Sequence, residues 1–67
     1  MDKRYVVVDW YDDYMNGEVL GIELTQKEAC AIVSDRIDDT DGECNVQVYD
    51  NEFDKEIYDL LYNRIYN

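Results

Sequence analysis

A chain of 67 residues has room for one domain, spanning 1–67. A domain that short buries only roughly 60% of the surface its unfolded form exposes, so it holds little stability in reserve. Seventeen Asp and Glu against six Lys and Arg give a formal charge of −11; that excludes nucleic acid and anionic membranes as direct ligands, since both need clustered cations. It favours a cationic partner instead.

The elements read in chain order as ββαβα. Segment 4–11 (RYVVVDWY) is dense in β-branched and aromatic residues and predicts a first strand, and 18–24 (EVLGIEL) a second. Met15-Asn16-Gly17 between them is a hairpin signal. A three-residue loop pairs Trp10 with Ile22 and Val8 with Leu24, gathering Val6, Val8, Trp10, Leu20, Ile22 and Leu24 on one face. Thr25-Gln26-Lys27-Glu28 is a capping box opening a helix to about Ile37, with Ala29, Ile32, Val33 and Ile37 buried and Cys30 and Arg36 flanking. Segment 44–49 predicts a third strand with Val46 and Val48 inward and Gln47 and Tyr49 outward. Asp50 or Asn51 caps a second helix whose core stripe is Phe53, Ile57, Leu60, Leu61, Arg64 and Ile65.

The expected fold is therefore an α+β domain, a three-stranded antiparallel sheet of order 2-1-3 with two helices on one face. The other face is left open, bearing Tyr5, Val7, Asp9, Tyr11 and Tyr49. Nothing in Met1-Asp2-Lys3-Arg4 resembles an export signal, and no apolar run approaches the roughly 20 residues of a membrane span. A cytoplasmic protein is expected, with Cys30 and Cys44 as two buried thiols.

Catalysis has little to work with. There is no histidine, Ser34 is the one serine, and a nucleophile needs a base within reach. Paired carboxylates could act on sugars, but only within a cleft that a three-stranded domain hardly provides. Residues 38–43 resemble a calcium loop around Gly42, yet the required carboxylate positions at either end fall on Ile37 and Val48. No metal and no cofactor are expected, and no enzyme.

The acidic surface is the strongest signal. The topology sends strand 1 towards the hairpin tip and brings the first helix back to end beside it. Asp12, Asp13 and Glu18 then meet Asp35, Asp38, Asp39, Asp41 and Glu43 at one end. Aspartates at a helix C-terminus oppose the helix dipole, where Lys or Arg would stabilise. A local rule broken without visible return is where function is to be suspected. The candidate partner-binding residues are Asp9, Tyr11, Asp12, Asp13, Asp35, Asp38, Asp39, Asp41, Glu43 and Tyr49, with the two tyrosines as packing anchors.

Acids interleaved with tyrosines, as in Asp9, Tyr11 and Asp13, on a small anionic chain with no catalytic set resemble the DNA-mimic inhibitors of phages and mobile elements, such as anti-CRISPR and anti-restriction proteins. Carboxylates two apart on a strand stand about 6.6 Å apart, and those four apart on a helix, such as Glu52 and Glu56, about 6 Å along its axis. Both approach the spacing of backbone phosphates. The resemblance implies an inhibitor that docks on a basic, nucleic-acid-binding protein. A second class is an assembly protein, a homodimer or larger homo-oligomer joined through the tyrosine-bearing sheet face or the Tyr58, Tyr62 and Tyr66 stripe.

Overall fold

The computed structural model describes residues 3–11 and 17–66. Five elements follow in order: β1 (Tyr5–Asp9), β2 (Glu18–Leu24), α1 (Gln26–Thr40), β3 (Val46–Asp50) and α2 (Lys55–Tyr66). The strands make one antiparallel sheet in the order β2-β1-β3, so the α+β class, the ββαβα order and the sheet topology are as the residues predict. The hairpin tip, with Asp12, Asp13 and the Met15-Asn16 turn signal, lies outside the described residues.

The helices do not share a face as expected; one covers each side of the sheet. Side chains alternate along β1, so Val6 and Val8 face one way and Val7 and Asp9 the other. Val6, Val8 and Trp10 cluster with Tyr58 and Leu61 of α2. On the opposite side Arg36 of α1 bonds Asp9, and Ile32 of α1 lies against Gly21, the residue paired with Val7. The cause is the run Val6-Val7-Val8. All three valines are fully buried, and consecutive apolar residues on a strand need cover on both sides. Each buried valine contributes roughly 1.5–3 kcal/mol.

The register of β2 also departs from expectation. Val8 pairs with Val19, Val7 with Gly21 and Tyr5 with Leu24, so two bulges replace the regular ladder. Glu23 occupies the second bulge in a left-handed conformation, φ 56°. The bulges leave Val19 and Ile22 with the α2-side cluster, while Leu20 lies beside Ile32 and Arg36 of α1. Gly17 is required by packing: a β-carbon there would clash with Cε3 of Trp10. On β3, Val46 and Val48 pair with Asp9 and Val7 and so lie on the α1 side, where Val48 stays exposed. Tyr49 pairs with Val6 and packs into the α2-side cluster, inward where it was expected outward.

The capping box forms as predicted. Thr25 Oγ1 accepts from the Glu28 amide, and the Glu28 carboxylate accepts from the Thr25 amide. Ala29 is buried, whereas Ile37 is exposed. Helix α2 begins at Lys55, after a turn in which the Asp54 amide donates to the Asp50 carbonyl. Its buried residues are Tyr58 and Leu61; Phe53, Leu60 and Ile65 of the expected stripe face outward. The helix is rotated so that Tyr58 enters the core. Burial pushes its phenol above the usual tyrosine range, partly offset by a hydrogen bond from the Glu23 backbone. Both cysteines carry free thiols, and neither is buried: Cys30 is exposed and Cys44 half-exposed.

Candidate functional site: one acidic end

Strand β1 runs from Tyr5 up to Asp9, β2 returns, α1 climbs, β3 descends and α2 climbs again. Contacts along the edges confirm the directions. Tyr5 shares a cavity with Gln26 and Lys27 at the start of α1, and Arg64 at the end of α2 donates to the Gly17 carbonyl beside the hairpin. The upper end therefore gathers Asp9, Tyr11, Glu18 and the last turn of α1 with the chain that follows it. Tyr11, Gly42, Glu43 and Asn45 line one depression there; Asp35, Arg36 and Asp39 line another.

Helix α1 ends with Asp41 in the left-handed conformation, φ 53°, followed by Gly42 at φ 82°. The Gly42 amide donates to the Ile37 carbonyl and the Glu43 amide to the Thr40 carbonyl, closing the orphan carbonyls of the final turn. No basic side chain stands in that turn. Asp38, Asp39 and Asp41 thus surround the negative end of the helix dipole, as the sequence predicts. Asp35, Asp38, Asp39, Asp41 and Glu43 are all exposed, and among the described residues none of the five forms an ion pair.

One cation organises this end. Arg36 Nε donates to Asp9 Oδ2 at 2.8 Å, its Nη2 donates to the Tyr11 hydroxyl at 2.8 Å and lies 3.7 Å from Glu18. Its guanidinium also stands over the Tyr11 ring, 5.7 Å from the centroid. The Tyr11 hydroxyl in turn donates to Glu18 at 2.7 Å. That bond to a carboxylate is the main cause holding the Tyr11 phenol above its ordinary range. Arg36 was noted in the sequence only as flanking the helix core. The available signal was a lone arginine among Asp35, Asp38 and Asp39.

Asp9 has a different part from the one expected. It is 1% exposed, so it cannot touch a partner directly. Burial pushes its carboxyl up, but the Arg36 bond, the Tyr11 and Asn45 amides and the Arg36 charge together hold it below the usual carboxylate range. Asp9 is a buried acceptor that ties α1, the β1 end and the β3 entry together. Tyr49 is likewise built in: its hydroxyl accepts from Trp10 Nε1 at 2.8 Å, and its ring meets Trp10 edge-on at 6.4 Å. Tyr11 and Tyr49 do not share an open face. Tyr11 alone of the two is exposed, beside the acids.

Among the described residues no helix is long and apolar enough to cross a membrane, and no three carboxylates or thiols converge on a metal-holding geometry. No protein-family model, curated protein or solved structure matches the chain.

Proposed function

We propose that this chain is a non-catalytic binding protein whose acidic end docks on a basic, nucleic-acid-binding protein, occupying its groove as a DNA mimic and so inhibiting it. The observation that carries the reading is the exposed set Asp35, Asp38, Asp39, Asp41 and Glu43, left without ion pairs among the described residues, three of them, Asp38, Asp39 and Asp41, where the helix dipole disfavours a carboxylate. Glu18 and Tyr11 extend that surface, an aromatic body set between carboxylates, while Arg36 keeps both oriented. A groove evolved for phosphates would be steered to such a surface at long range. The absence of histidine and the single serine favour binding over catalysis.

The test is capture of nucleic-acid-binding proteins on the immobilised chain, followed by a salt titration and competition with duplex DNA. Affinity for the captured protein is expected to fall about tenfold or more between roughly 0.05 and 0.3 M salt, and DNA to displace the chain. Tight binding that ignores both salt and DNA would rule out phosphate mimicry.

A further inference from the structure

Helix α2 presents an exposed stripe apart from the carboxylates of residues 35–43. Phe53, in the turn leading into the helix, is 78% exposed and Leu60, at mid-helix, 57%. Among the other large apolar side chains of the described residues only Tyr66, at the end of the same helix, is comparably open. Glu56, Leu60 and Arg64 recur four apart, so they form one stripe, and all three are exposed. Arg64 lies at its sheet-side edge, where Nη1 also donates to the Gly17 carbonyl and, among the described residues, the other guanidinium N–H groups stay open.

Charge identifies what fits there. The protein as a whole carries −11, yet α2 balances two cations, Lys55 and Arg64, against two carboxylates, Glu56 and Asp59. It is a surface on which two copies can meet without repulsion. In a twofold pair of antiparallel α2 helices centred on Leu60, the residue four before the centre faces the residue four after it. Glu56 of one copy then meets Arg64 of the other, twice, on either side of a Leu60–Leu60 contact. Because α2 runs from the end where β1 begins to the acidic end, the same arrangement points the two acidic ends in opposite directions. A parallel pair would set them side by side.

We infer that the chain forms an antiparallel homodimer through α2, with Leu60 at its centre and Glu56–Arg64 pairs across the twofold axis. The dimer presents two acidic ends at its extremes, and a symmetric or repeated partner would be engaged twice.

Sedimentation of the whole chain over a concentration series at 0.15 M salt tests this, with circular dichroism as the control for folding. A concentration-dependent dimer is expected. Leu60→Asp should raise its dissociation constant ~30-fold or more, since it removes the central anchor from both copies. Glu56→Arg and Arg64→Glu should each weaken it about tenfold by opposing like charges, and the double variant should recover to within about threefold of the parent. A chain that stays monomeric, or a dimer indifferent to Leu60→Asp, would overturn the inference. Single charge reversals without recovery in the double variant would overturn the antiparallel register. Leu60→Asp leaves the acidic end intact, so partner capture by that variant reports on the proposed function separately.

Discussion

Both ends of the sheet are rich in carboxylates, but only one end answers them. Where β1 begins, Arg4 reaches Asp50 and Glu52, Glu28 closes the capping box, and Asp54 accepts from the Asp50 amide; Lys55 pairs with Asp59 one turn along α2. Lys3 and Lys27 stand at that end too. Each of these acids has a local reason for its place. Where β1 finishes, Arg36 is committed to Asp9 and Glu18, Arg64 donates to the Gly17 carbonyl, and the acids of residues 35–43 are left to water. The lesson is that charge count alone does not locate a binding surface. The distribution of the few cations does.

The largest expected effect breaks the frame behind the acidic end. Asp9→Asn leaves Arg36 without its buried carboxylate and weakens the anchor of Tyr11, at a cost of about 3 kcal/mol. For a domain of this size that lowers the melting temperature by roughly 12–24 °C. The pH dependence follows from the sign of the shift. Asp9 is held below the usual carboxylate range, so it contributes stability above the unfolded-state pKa that is lost as pH falls through the folded-state value. The stability difference between parent and Asp9→Asn, followed by denaturation at each pH, should therefore shrink on acidification. A difference that stays constant down to the acid limit would show that Asp9 does not titrate as the geometry implies.

A smaller effect on stability but a larger one on binding comes from comparing the ends directly. Replacing Asp38, Asp39 and Asp41 by Asn should weaken capture of a basic partner by about tenfold or more, through lost steering and contact. The same change in charge at the other end, Glu52→Gln with Asp54→Asn and Glu23→Gln, should leave capture within about twofold. Equal losses from both triples would mean that overall charge, and not one end, binds.

Much of this contrast was legible in the residues. The strand order, the capping box and the crowding of acids at the end of α1 all followed from local signals. The two covered faces did not, although Val6-Val7-Val8 announced them: strict alternation was assumed where a continuous apolar run signals burial on both sides. Asp9 looked like one of several surface acids because its partner Arg36 lies 27 residues away, a distance over which no pattern pairs side chains. The bulges at Leu20 and Glu23 likewise leave no periodic trace, and they decide which residues of β2 meet which helix. Tyr49 was assigned outward by the same parity error that placed Val48 inward.

The smallest effect sharpens the comparison within a single helix. At the start of α1, Glu28→Lys removes the bond to the Thr25 amide and sets a cation against the positive end of the dipole, so it should cost about 1 kcal/mol. At the other end of the same helix, Asp39→Lys replaces an exposed carboxylate that has no ion pair with the charge the dipole favours. It should stabilise by about 0.3–1 kcal/mol, raising the melting temperature by a few degrees, while weakening partner capture. One substitution type thus changes sign along 11 residues of helix. Asp41→Gly should act in the same direction as Asp39→Lys, since it also relieves the left-handed backbone that glycine adopts without strain. A stabilised variant that binds less well is what a surface kept for a partner predicts. Equal binding by the stabilised variants would mean that the acids at the end of α1 are solvated charge and nothing more.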